Sequence, residues 1–332
     1  MKVGIIMQLV INTYGSYIKK NKNCFVIKNK DDSLEISAKK VKSILITTSV
    51  SLTSNAIKLA VENNIDIIFL NKFGDPFGRV WHCKLGSTTL IRRKQLQAES
   101  TLIGFNMVKK WISKKIDNQI DYLKNLKKNR PNTSMLFESA IEQIIKQNDE
   151  LTKLTGDLET KRFTILGIEG RAAELYFNVL SQILPEKWQF QGRSRNPAKD
   201  GFNCLLNYAY GVLYSHVERA SIIAGLDPYV GFLHTDNYNK KSFVFDLIEL
   251  FRVHAEKAVM NLFAKKKITD ELFDSIPGGF SLNKSGKAIL ITELNEILDK
   301  EMDYNGRQIK VKNVIQLRCH NIANKLIRTE LM

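Results

Sequence analysis

Three acids and one imidazole stand in segments otherwise suited to a packed core. Glu169 lies within Thr164-Ile165-Leu166-Gly167-Ile168-Glu169-Gly170-Arg171-Ala172-Ala173, an apolar, helix-like run. Further along, Gly231-Phe232-Leu233-His234-Thr235 precedes Ser242-Phe243-Val244-Phe245-Asp246-Leu247-Ile248-Glu249-Leu250-Phe251. A carboxylate in such company is costly unless a cation or good hydrogen-bond partners meet it. Imidazole nitrogen together with carboxylate oxygens suits Mn²⁺ or Mg²⁺, with water in the remaining positions.

Each residue also has a plainer reading. Asp246 and Glu249 are three apart and share one face of a helix; that face is either a ligand pair or a narrow solvated stripe continuing through Arg252, Glu256 and Lys257. His234 is either a ligand or a packed or capping residue near a helix start. Gly167 and Gly170 flank Glu169, although glycine inside a helix costs about 1 kcal/mol relative to alanine. They either let a substrate or another backbone approach the carboxylate or serve tight helix packing. Between the two acidic segments, Gln191-Gly192-Arg193-Ser194-Arg195-Asn196-Pro197 presents two guanidinium groups whose forks fit phosphate oxygens, or else is a solvated basic loop. Arg92-Arg93-Lys94, Lys109-Lys110, Lys114-Lys115, Lys127-Lys128 and Lys265-Lys266-Lys267 are solvated helix faces or a track for a duplex backbone.

The elements that must position these groups fall in two parts. Leu9 to Asn12, Cys24 to Lys28, Leu34 to Ser37 and Ser43 to Thr48 are short runs rich in β-branched residues, punctuated by Gly15, Asn21-Lys22-Asn23 and Asp31-Asp32. Residues 51–61 have helical period behind a Ser or Thr cap, Ile65 to Leu70 is a buried strand, and Gly74-Asp75-Pro76 a turn. After Leu85-Gly86-Ser87 the texture is helical to the end, with long periodic patterns over 95–128 and 135–154 broken at Pro131-Asn132. The expected fold class is α+β, a small N-terminal β-rich, β-sandwich-like domain over 1–85, a linker over 86–95, and a larger all-α domain over 96–332.

Bulk composition narrows the function. A chain of 332 residues with 44% apolar residues is long enough for two cores and is not disordered by default. Fifty Lys plus Arg against 34 Asp plus Glu give a formal charge of +16, which favours a polyanionic partner, most simply nucleic acid, although genome composition also yields lysine-rich chains. Cys24, Cys83, Cys204 and Cys319 are too scattered for a zinc site or a disulfide framework and read as reduced thiols. No apolar run approaches the ~18 residues of a membrane span. Met1 to Gln8 lacks the long apolar core and cleavage site of a secretory signal, so the expected location is cytoplasmic.

Three ordered segments resemble one family. Gly167-Ile168-Glu169-Gly170 with Ala172-Ala173 and Tyr176-Phe177 is similar to the first signature of the CRISPR-associated endonuclease/integrase family of spacer acquisition. Gly192-Arg193 to Pro197, with Asn203-Cys204-Leu205-Leu206-Asn207-Tyr208, resembles its second conserved stretch. Gly225-Leu226-Asp227-Pro228, Gly231 to His234 and Phe245-Asp246-Leu247-Ile248-Glu249 resemble its third. The resemblance implies that the helical domain is catalytic and that Glu169, His234 and Glu249 hold Mg²⁺ or Mn²⁺, with Asp246 alongside as a further acid. Many relatives carry aspartate where Glu249 stands, a change of reach and not of charge. Arg193 and Arg252 would face the scissile phosphate, with Arg195 beside them. Further implied are a homodimer formed through the β domains, a small ferredoxin-like companion subunit, and double-stranded DNA as substrate. Protospacer 3′-hydroxyl ends are then joined to the CRISPR repeat by transesterification, the adaptation stage of antiviral defence. Two other readings compete: a non-catalytic nucleic-acid scaffold of the same fold, and a metallohydrolase of small phosphoesters, against which the positive charge argues.

Overall fold

The computed structural model describes residues 7–30, 32–71, 76–80, 89–234 and 240–328. The β-rich part runs β1 (Met7–Ile11), β2 (Ser16–Asn21), β3 (Cys24–Lys28), β4 (Ser33–Ser37), β5 (Val41–Ile46), β6 (Val50–Leu52), α1 (Ser54–Glu62), β7 (Asp66–Leu70) and β8 (Pro76–Val80). They form two four-stranded sheets. One has the order β1-β5-β7-β8, parallel up to its antiparallel edge strand β8; the other, β4-β3-β2-β6, is antiparallel save for the parallel β2–β6 pair. Thr53 caps α1 by accepting from the Ala56 amide, and the helix buries Ala56, Leu59 and Ala60.

Strand alternation assigns the first sheet to two cores. Ile44 and Ile46 on β5 and Ile67 on β7 join Ile18, Phe25, Ile36 and Leu59 in a small core between the sheets and α1. Leu45, Ile68 and Leu70 point the other way into the helical core. Coverage on both faces explains why residues 65–70 carry almost no polar side chain.

The remainder comprises α2 (Thr89–Glu99), α3 (Leu102–Lys127), α4 (Ser134–Lys153), α5 (Leu158–Gln182), α6 (Gly201–Ile223), α7 (Ser242–Ile248), α8 (Arg252–Ala264), β9 (Phe273–Ile276), β10 (Gly279–Leu282), α9 (Lys284–Asp299), β11 (Glu301–Tyr304), β12 (Arg307–Lys310) and α10 (Val311–Arg328). The expected β-rich start and helical bulk are both present, but this part is not all-α: β9–β10 and β11–β12 are antiparallel hairpins. Of the expected linker, residues 89–95 are the opening turns of α2, because Ile91, Gln95 and Ala98 form a buried helical stripe; 86–88 lie outside the described residues. The periodic stretch over 95–128 is two helices, parted where Thr101 caps α3. Of the expected turn at 74–76, Gly74 and Asp75 lie outside the described residues and Pro76 opens β8. Among the described residues no helix is long and apolar enough to cross a membrane.

Where α6 meets β7 and β8 the contact is ionic. Asp66, fully buried, accepts from Arg79 Nε at 2.7 Å, and Arg79 reaches Glu218 at 3.6 Å, which in turn pairs with Lys241 at 2.7 Å. His216 on α6 lies in the same seam, and its buried Nε2 has no hydrogen-bond partner among the described residues. Burial, reinforced by the charges of Lys42, Arg219, Lys312 and Arg79, pushes its pKa from 6.5 down to about 3. Between those values the unfolded chain takes up a proton that the native state refuses, so stability must fall as pH drops through that window. Urea unfolding from pH 7 to pH 4 should show His216→Gln losing less stability than the wild type, by on the order of 3 kcal/mol. Parallel curves for the two proteins would count against this.

Candidate active site

The two glutamates meet at one point. Glu169 projects from the middle of α5, and Glu249 is the residue that ends α7. Lys115, from the buried stripe of α3, bonds a Glu169 oxygen and lies 2.5 Å from Glu249 Oε2. The other Glu249 oxygen, Oε1, accepts from Arg252 Nε at 2.8 Å. Burial opposes ionisation of Glu249, but Arg252 and Lys115 outweigh it and hold its pKa at about 2. Burial likewise works against the Lys115 ammonium, and Glu249 and Glu169 overcome it, raising the lysine above its ordinary value.

Asp246, expected as a further acid at the metal, instead has both oxygens engaged by the His234 loop. Its Oδ2 accepts from the amides of Phe232 at 2.5 Å and Leu233 at 3.0 Å; Oδ1 accepts from the His234 amide at 3.0 Å and lies 2.6 Å from His234 Nδ1. With Nδ1–H given to Asp246, Nε2 is the nitrogen left for a ligand or a proton. The solvated-stripe alternative fails, since Asp246, Glu249 and Glu256 are all buried. Nor do Asp246 and Glu249 lie in one continuous helix, because the chain leaves α7 at Glu249 and resumes as α8 at Arg252.

The loop that carries His234 is braced from three sides. Gln95 donates to the carbonyls of Asp227 and Val230 at 2.9 Å and accepts from the Asp227 amide. Arg162 donates to the carbonyls of Phe232 and Leu233. Trp111 stacks on Phe232 and meets Phe243 edge-on. A Cβ on Gly231 would sit 2.5 Å from Ser242 Cβ and 2.7 Å from the His234 carbonyl, so only glycine fits there. The glycines beside Glu169 differ: nothing lies within 4 Å of where a Gly170 Cβ would stand, so this face of α5 is open and not packed against a neighbouring helix.

Beside this centre is a cavity of about 290 Å³ lined by Arg193, Arg195, Lys240, Lys241 and Arg252 together with Tyr210, Tyr214 and Phe245. The arginines are not equivalent. Arg193 is pinned, bonding Asn203 and donating to Asn207 Oδ1 at 2.7 Å, with its guanidinium over Phe177 and Tyr210. Arg252 lies 4.6 Å over Tyr210, whose hydroxyl donates to the buried Glu256, as does that of Tyr176. Arg195 is exposed. Lys115, Glu256, Tyr210, Gln95 and Arg162 are the participants that residue type alone does not announce.

Among the described residues, no three His, Cys, Asp or Glu side chains gather at metal-binding spacing; the cation between the two glutamates is Lys115. The donor types nevertheless fit a hard divalent ion. Glu249 Oε2 is buried and meets Lys115 without hydrogen-bond geometry, Glu169 is half-buried, and His234 retains Nε2.

Comparison with known proteins gives this arrangement its family. The sequence profile described as CRISPR associated protein Cas1 matches residues 9–296. The chain belongs to the Cas1 family. It is 32% identical over 330 residues to CRISPR-associated endonuclease Cas1 1 of Archaeoglobus fulgidus, covering 96% of this chain and 95% of that protein. A Cas1 protein of Methanobrevibacter ruminantium is 32% identical over 281 residues, 83% of this chain and 84% of its own length. Among solved structures, a casposase bound to integration product has a TM-score of 0.85 at 22% identity, covering 98% of this chain and 92% of its own. A Cas1 protein from Thermotoga maritima has a TM-score of 0.81 at 21% identity, covering 98% of both chains. These structural likenesses establish the Cas1 fold, with its β-rich start and helical remainder.

Proposed function

We propose that this chain is a divalent-metal-dependent DNA endonuclease and integrase that inserts protospacer DNA into the CRISPR array. The observation that carries the reading is the convergence of Glu169 and Glu249 beside a nucleotide-sized cavity lined with cations and aromatic rings, in a Cas1-family chain. The Archaeoglobus relative is named an endonuclease, and the casposase of similar fold is bound to an integration product.

Strand transfer requires the protospacer 3′-oxygen to attack a repeat phosphorus. A new phosphodiester forms, the repeat's own P–O3′ bond breaks, and the proton of the attacking hydroxyl ends on the departing 3′-oxygen. Glu169, Glu249 and His234 Nε2 are the groups that would hold Mg²⁺ or Mn²⁺, which when bound polarises the phosphodiester and steadies charge on the attacking and leaving oxygens. Arg252, stacked on Tyr210 and fixed by Glu249, is placed to meet a phosphate at the edge of the cavity. Arg195 and Lys241 add charge along the strand, while aromatic faces suit nucleobases. Arg193 holds the loop that carries Arg195 through its bonds to Asn203 and Asn207.

For partners, we infer a homodimer and a small companion of the Cas2 kind. A solved complex named for Cas6-RT, Cas1 and Cas2 contains a chain of which 35% has this fold, TM-score 0.81 at 19% identity.

A half-site integration assay on supercoiled plasmid bearing a repeat tests this. Joined product should form with Mn²⁺ or Mg²⁺ and disappear with a chelator. The placement of Lys115 between both carboxylates favours one rival, a nucleic-acid scaffold. DNA binding with no product under either metal would establish that rival instead.

A further inference from the structure

The charge at the centre is already balanced without a metal. Glu169 and Glu249 supply two negative charges; Lys115, in contact with both, and Arg252, in contact with Glu249, supply two positive ones. Lys115 is no surface residue that happens to reach inward. It is 7% exposed, follows Trp111 and Ile112 on the buried face of α3, and its ammonium contacts an oxygen of each glutamate. A tethered cation at this point opposes a second one, both by occupying the shared oxygens and by direct repulsion in a site with little water to screen it. Around it, Asp246 has both oxygens taken by the His234 loop and Glu256 accepts from two tyrosines, so neither acid has an oxygen free to ligate a dication. The further oxygen ligands a dication needs must therefore come from outside the protein, and the cation-lined cavity next door is built to bring in a phosphate.

We propose that Lys115 is a built-in competitor for the divalent ion, so that the free protein binds metal weakly and a DNA phosphate at the neighbouring cavity recruits it. This rests on the metal site proposed above. It makes Lys115 a positioning residue that links metal loading to the presence of substrate.

The test is Mn²⁺ titration of the full chain, with free ion followed by its electron paramagnetic resonance signal. The wild type should bind Mn²⁺ at least about 10-fold more tightly in the presence of saturating DNA duplex, after subtraction of ion held by DNA alone. Without DNA, Lys115→Met should bind at least about 10-fold more tightly than the wild type, and Mn²⁺ should raise its melting temperature more. Equal Mn²⁺ affinity with and without DNA in the wild type overturns the proposal even if Lys115→Met does not fold, and so does a folded Lys115→Met that binds no more tightly. His234→Ala separates the two ideas. If it binds Mn²⁺ as the wild type does, the metal site itself is misassigned; if it binds more weakly while Lys115→Met is unchanged, only the competitor role falls.

Discussion

Glu169→Ala should fold as the wild type does and lose strand transfer by at least about 10³-fold, whereas Glu249→Ala should lose activity and stability together. The difference follows from what each carboxylate holds. The Glu169 side chain is 23% exposed and pairs with Lys115, which keeps Glu249 when Glu169 is gone. Glu249 is 4% exposed and holds Lys115 with one oxygen and Arg252 with the other. Removing it leaves two interior cations facing one carboxylate, a loss of about 3–5 kcal/mol for breaking a buried pair. Its depressed pKa carries the same message, because the contribution is present above about pH 4.5 and is lost as pH falls toward about 2. Urea unfolding alongside the half-site assay checks both statements. A stable, inactive Glu249→Ala would mean that Arg252 and Lys115 find other partners, and an active Glu169→Ala would remove the site assignment.

How much of this centre could be read in the sequence depends on how each residue departs from its surroundings. Glu169, Asp246 and Glu249 are acids inside apolar runs, and burial is costly for an acid without partners, so each stood out. Lys115 did not, because in the pair Lys114-Lys115 it looks like any other basic cluster in a chain of +16. Its helical phase held the missing signal: it lies three and four residues after Ile112 and Trp111 and four before Gln119, all buried on α3. The two roles among the third segment's residues were likewise not separable beforehand. Spacing places Asp246 and Glu249 on one helical turn, but the break after α7 and the inward fold of the 232–234 amides decide which acid serves the loop and which meets the cations. In the β-rich part, β2 escaped notice because Ser16–Asn21 turns little but Ile18 into the core and is otherwise polar and lysine-bearing. β1, β3, β4, β5 and β7 showed as short runs rich in β-branched residues, near-continuous in β5 and β7 because both of their faces are covered.

Asp246→Asn should cost about 2–4 kcal/mol and lower strand transfer by about 10²-fold or more, although Asp246 itself need not touch a metal or DNA. Four donors converge on its two oxygens, three backbone amides and His234 Nδ1. An asparagine amide keeps one acceptor oxygen and turns the other position into a donor. Either the amides of Phe232 and Leu233 or the His234 pair must then face an NH₂ group inside the core, where no water can substitute. The activity loss has a different origin from the stability loss. Without an acceptor at Nδ1 the imidazole is no longer held in the tautomer that leaves Nε2 free, and the ring can turn away from the glutamates. If Asp246 acts through His234, the two effects on rate cannot add. Asp246→Asn in a His234→Ala background should then lower strand transfer no further than His234→Ala alone, while the unfolding cost of the asparagine persists. DNA binding should survive in both variants, since Arg195, Lys241 and Arg252 remain in place around the cavity. Additive losses in rate would instead place Asp246 at the reacting phosphate in its own right, and the loop-holding role would have to be given up.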